Sequence, residues 1–219
     1  MPRIVFEKTG EAVWISHLDL MRLFQRAFKR AGLELTHTQG YNPRPSVSIA
    51  LPLSVGVESV CELLDFDLEG EKVSSDEICK RLNQALVKGV RVLDCFDNGK
   101  KIKELAYLQC SITLEYDAGI PAEAEQTICQ LFSREHLLVE KKSKNGMTEQ
   151  DIIPMIRQLL VTQDDNHTLR ILAMICCQNP SLNPMQLVAA IERYTPDCIP
   201  DHAVCRRIEL YDTNETIFR

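Results

Sequence analysis

Between Ser16 and Ala31 the apolar positions recur at helical spacing. Leu20, Leu23, Phe24, Ala27, Phe28 and Ala31 fall on one broad face, which predicts an amphipathic helix over residues 17–31. Ser16 stands where an N-cap belongs, with Asp19 three residues on as its capping-box partner, and Gly32 follows as a C-terminal stop. On either side the period shortens. Residues 3–8 (RIVFEK) and 12–15 (AVWI) read as strand material around a Thr9-Gly10 break, either two arms of a hairpin or one bulged strand. Residues 47–53 (VSIALPL) and the alternating residues 61–68 (CELLDFDL) read as two further strands. A helix starts after Ser74 with Ile78, Leu82, Ala85 and Leu86 on one stripe. Gly89 ends it, and residues 90–96 (VRVLDCF) form a strand. The order is β-α-β-β-α-β.

The second half repeats that order without repeating the sequence. Strands are expected at residues 108–116, 137–141, 168–176 and 206–211. Helices are expected at 122–132 and from Asn183-Pro184 through Ile191, and a turn at Asn145-Gly146. Residues 148–166 fit as an insert broken at Pro154. The expected fold class is α+β: two tandem ferredoxin-like (βαββαβ) units with antiparallel sheets, at residues 1–98 and 105–219, separated by the polar stretch from Asp97 to Lys101.

Composition adds little to this and charge adds more. A hydrophobic fraction of 45% and a charged fraction of 26% are those of a globular protein. The first residues lack the apolar core of a signal peptide, and no apolar run is long enough to span a bilayer, so a cytoplasmic protein without a membrane role is expected. Most of the nine cysteines lie in apolar segments, as reduced core cysteines do. No CxxC pair occurs, and no cofactor or cluster of the chain's own is expected. The net charge of −6 conceals an asymmetry: residues 1–50 carry +3 and the remainder −9. A basic end on an acidic chain points to one localised anion-facing surface.

The candidate chemistry gathers in that basic end. Arg22, Arg26 and Arg30 recur every fourth residue opposite the apolar helix face, with Lys29 beside them, a spacing able to follow successive phosphates. Lys29 and Arg30 also suit the helix C-terminus electrostatically. The loop that follows contains Gly40, Tyr41, Asn42, Pro43, Arg44 and Pro45, and its prolines bias Asn42 and Arg44 toward extended geometry. Tyr41 is placed to stack on a base, Arg44 to reach a phosphate or base edge. His17 at the helix start and His37 across the loop are a candidate general base and acid for metal-independent RNA cleavage. Cys198, His202 and Cys205 have zinc-type side chains but match no common finger spacing. Asp65 and Asp67 share a strand face, and an exposed sheet face accounts for them; no metal site is expected.

Phe6-Glu7-Lys8, Ser16-His17-Leu18-Asp19-Leu20 with Arg22, Arg26-Ala27, Gly40-Tyr41-Asn42-Pro43-Arg44-Pro45, the run from Ala50 to Gly56, and Glu62 with Asp65 together resemble a bacterial family of unknown function, the radical-SAM-linked proteins. The resemblance covers about the first third of the chain and is diffuse beyond Gly99. It implies a radical SAM enzyme as partner, which would supply the cluster this chain lacks. The expected function is therefore an accessory module, more a holder of RNA (tRNA or rRNA) than an enzyme. The alternatives are RNA processing by His17 and His37, and a protein-binding adaptor without nucleic acid.

Overall fold

The computed structural model describes residues 2–70, 72–143 and 146–219, and divides the chain into two compact units, Met1–Glu104 with Phe218–Arg219, and Leu105–Ile217. The last two residues thus belong to the first unit. Asn145, part of the expected turn, lies outside the described residues. The fold is mixed α+β, with mainly antiparallel sheet and four α-helices among the described residues. No helix of those residues is long and apolar enough to cross a membrane.

In the first unit β1 (Arg3–Lys8) lies between β3 (Glu58–Phe66) and β4 (Val90–Phe96), antiparallel to both, and β2 (Val47–Ile49) pairs with the end of β3. Helices α1 (His17–Arg30) and α2 (Ser75–Ala85) are the connections from β1 to β2 and from β3 to β4. The buried side of α1 is Leu20, Phe24, Ala27 and Phe28, four of the six residues on the expected apolar face. Phe24 meets Phe6 edge-on at 4.7 Å between centroids, and Phe28 meets Phe66 at 5.0 Å. Ile78 and Leu82 of α2 close the same core.

Three details differ from the sequence pattern. Residues 12–15 are not a strand: Gly10–Trp14 is a 3-10 turn. The strand expected over 47–53 stops at Ile49, before Pro52, which has no amide hydrogen to donate to a ladder. Two charged residues of β1 are buried. Arg3 is bound bidentately to Asp65, at 2.5 and 2.9 Å, beside Gly99, where a Cβ would stand 2.8 Å from Arg3 Nη1. Lys8 is wholly enclosed, and its ammonium donates to the carbonyls of Val13 (3.0 Å), Ile15 (3.1 Å) and Ser54 (3.5 Å). These carbonyls explain the turn: only a tight bend directs both Val13 and Ile15 oxygens back at one side chain of β1.

In the second unit β5 (Leu105–Glu115) lies between β10 (His202–Asp212) and β9 (Thr168–Cys176), with β8 (Ile156–Gln163) beyond β9, all antiparallel. Helices α3 (Ala124–Phe132) and α4 (Met185–Tyr194) complete the unit. The expected sheet strand at 137–141 is instead in β6 (Leu138–Ser143), which among the described residues pairs with β7 (Gly146–Asp151) alone, as a separate hairpin. The sheet strand comes from the segment expected to be an insert. β6 and β7 are rich in Glu, Lys, Thr and Gln, too polar for a place inside a sheet, whereas β8 offers Ile156, Leu159 and Val161 at the sheet edge. Pro154 sits in the short 3-10 turn between hairpin and β8.

Replacing Lys8 with Met leaves the partly buried carbonyls it serves without that donor. The Lys8→Met protein is expected to lose about 3 kcal/mol of unfolding free energy. Urea denaturation followed by circular dichroism checks this, and an unchanged midpoint contradicts it.

Candidate functional site

The first turn of α1 is fixed by its own side chains. The Ser16 hydroxyl accepts from the Asp19 amide at 3.2 Å and donates to Asp19 Oδ2 at 2.8 Å. Asp19 Oδ1 accepts from Arg22 at 3.0 Å. The hydrogen bond from Ser16, then that from Arg22, holds the Asp19 carboxyl below the usual Asp range. Ser16, His17 and Asp19 therefore work as a helix start and not as a triad. His17 is half-buried, and its Nδ1 is buried without a hydrogen-bond partner among the described residues.

Below this turn Arg22, Arg26 and Arg30, all exposed, line one groove of about 430 Å³ together with Asp19 and the apolar Ile15, Leu23 and Val87. Arg30 is anchored across to α2, donating to the Ala85 carbonyl at 2.6 Å. Arg26 makes no hydrogen bond or ion pair among the described residues, so its guanidinium remains available. Past Arg30 a second depression of about 500 Å³ adds Lys80 and Arg81, both shared with Glu77.

Lys29 faces the other flank. With Gln25, Gly32, Glu34, Leu35, His37, Pro45 and Glu69 it lines a groove of about 580 Å³. The loop over residues 36–46 is a braced hairpin: the Thr38 amide donates to Arg44 O at 2.8 Å, the Arg44 amide to Thr38 Oγ1 at 3.0 Å, and the Ser46 amide to Thr36 O at 2.7 Å. Asp67 ties its base to the sheet end through Thr36 Oγ1 at 3.1 Å. Gly40 at the tip has φ +141°, open to glycine and disfavoured for other residues. Tyr41, Asn42 and Arg44 are all exposed, Tyr41 completely.

The predicted residues thus fall into two rows on adjacent flanks of α1. Arg22, Arg26 and Arg30 converge; Lys29 and His37 join the loop that carries Tyr41, Asn42 and Arg44. His17 and His37 are not brought together. His37 borders the groove at Lys29, about 18 Å along the helix from His17 at 1.5 Å per residue, too far for an acid–base pair on one bond. Cys198 and Cys205 are buried and His202 exposed, and among the described residues no group of three His, Cys, Asp or Glu side chains is arranged to hold a metal ion. Asp65 is committed to Arg3. Sequence reasoning did not find the buried Lys8, nor Val87 on the groove floor. It also passed over Leu18, whose signal was available: it continues the 22–26–30 row by one step of four residues.

A family model described as an uncharacterized protein conserved in bacteria (DUF2344) matches residues 2–184. Among proteins of curated function none matches. The first unit and the second are together similar to a chain in the crystal structure of a Cbf5-Nop10-Gar1 complex, with 9% identity, a TM-score of 0.51 and 95% of this chain covered. This chain spans 48% of that one, and the likeness at such identity is one of α+β fold alone. A second similarity, to an unknown protein from Galdieria sulphuraria, has 11% identity over 97% of each chain at a TM-score of 0.26, too low to support a fold argument.

The Asp19 pKa is lower folded than unfolded, so its stabilising contribution is complete above the unfolded value and disappears as pH falls through the folded one. Ser16→Ala is expected to raise the Asp19 pKa toward the ordinary value, read by NMR titration of the carboxyl. An unmoved titration contradicts the cap as its cause.

Proposed function

The chain belongs to the DUF2344 family of uncharacterized proteins conserved in bacteria, and from that premise we propose that it is a radical-SAM-linked accessory protein that holds RNA for a partner enzyme. One observation carries the RNA part: three exposed arginines, four residues apart on α1, line one groove with an apolar floor, on a chain whose net charge is negative. Guanidiniums in a row suit phosphate oxygens, and apolar side chains between them suit the faces of bases and sugars. The braced loop at residues 36–46 presents Tyr41, Asn42 and Arg44 on the neighbouring flank as positioning contacts. The radical SAM partner rests on the resemblance of the opening motifs. We also read each unit as ferredoxin-like, a reading supported by the strand orders β4-β1-β3-β2 and β10-β5-β9-β8 with helices between.

Bulk bacterial tRNA is the probe. The wild-type chain is expected to bind it with an affinity that falls as salt rises. In the Arg22→Ala, Arg26→Ala, Arg30→Ala triple variant the slope of log affinity against log salt is expected to drop by about 2, as loss of three single-strand phosphate contacts requires. Equal binding by the triple variant at every salt concentration, measured by fluorescence anisotropy, rules the reading out.

A further inference from the structure

The arginine row does not begin at Arg22. One step earlier on the same ridge of α1 stands Leu18, 67% exposed, and just ahead of the helix stands Trp14, 71% exposed, with Val55 beside Gly56, 52% exposed. Here the backbone is clamped: the carbonyls on both sides of Trp14, those of Val13 and Ile15, are held by the buried Lys8 ammonium. The Gly56 amide also donates to Val13 O at 2.9 Å. The indole runs against Gly56, its Cζ3 3.7 Å from where a Cβ would stand, and Gly56 has φ +81°, so a larger residue there is strained. The chain has built a rigid mount and placed an uncovered aromatic ring on it.

We propose that Trp14, flanked by Leu18, is a base-stacking platform at the head of the arginine row, and that the RNA held there is single-stranded. The proposal rests on the reading of the arginine groove as an RNA site and names the form of RNA it takes. Every base has a face that can stack on indole, but only an unpaired base is free to do so; bases within a duplex are already stacked on their neighbours. From Leu18 the ridge descends through Arg22, Arg26 and Arg30 in steps of about 6 Å, four residues at 1.5 Å each. A strand with one base on Trp14 is thereby led along successive guanidiniums. Charge favours this occupant over a protein. The apolar head consists of three side chains, well short of the roughly 800 Å² per partner of a stable protein interface, and it continues directly into cationic side chains that pair with a backbone carrying one charge per nucleotide.

Trp14 is the chain's one tryptophan, so its emission reports the site directly. The purified full chain is titrated with a short oligouridylate and, separately, with a blunt RNA duplex of the same phosphate count. The single strand is expected to quench Trp14 emission in step with binding, and the duplex to leave it unchanged. Trp14→Ala is expected to weaken oligouridylate binding about tenfold, within the range one stacked base is worth, while Trp14→Phe keeps most of it. The exposed position keeps both variants folded, which circular dichroism verifies. Oligouridylate binding that is lost with the three arginines but indifferent to Trp14, with no quenching, overturns the stacking head and leaves the arginine groove intact. Trp14→Ala binding RNA normally but failing to co-purify with a partner enzyme shows a protein-docking face and also overturns it. Absence of any RNA binding by the wild-type chain at low salt overturns the groove reading together with this one.

Discussion

The ammonium of Lys8 is the contact on which the first unit's working surface depends. Enclosing a charge costs several kcal/mol, and three backbone carbonyls offset that cost by accepting its protons. Those carbonyls come from two places, the turn before α1 and the segment after β2. One side chain on a central strand therefore ties together the turn that carries Trp14 and the segment that carries Ser54. A shorter or uncharged residue at position 8 lacks the reach or the donors to join them.

From that fixed start α1 divides its perimeter three ways. Its buried side packs two aromatic pairs against the sheet, and the two remaining flanks carry different chemistry. On one, arginines stand in a groove with apolar walls; on the other, Lys29 meets acids and His37 at the foot of a braced loop. The difference matters electrostatically. Arg22 is paired with Asp19 and Lys29 shares its groove with Glu34 and Glu69, while Arg26 makes no ion pair among the described residues. The lower two arginines of the row thus carry no paired acid among the described residues, and an anion gains most there.

The second unit shows how the same connectivity is reached from a different sequence. Its sheet takes a strand from the stretch after Pro154, and the polar pair β6 and β7 stands apart as a hairpin between α3 and that strand. No repeat is visible in the residues because backbone pairing constrains only alternation and burial, which many side chains satisfy. The arginine row and the glycine–proline loop have no counterpart there, which places the candidate chemistry on the first unit.

Local signals carried much of this in the sequence itself. The start of α1 at Ser16, its apolar face, its end near Gly32 and the exposed arginine row follow from helical periodicity and capping, which act within a few residues. The helix α2, starting after Ser74, was legible for the same reason. Wherever the outcome depended on distant partners, the sequence was silent. That residues 156–163, and not 137–141, entered the sheet was decided by pairing with β9 and packing against α3. The 3-10 turn at residues 10–14 came from Lys8 attracting carbonyls five and seven residues on. The separation of His17 from His37 came from the length of a helix that spans the unit. A lysine in a strand and a tryptophan six residues on carry no sign of their burial in the sequence; only tertiary packing enclosed the lysine, with three carbonyl acceptors, and left the tryptophan exposed.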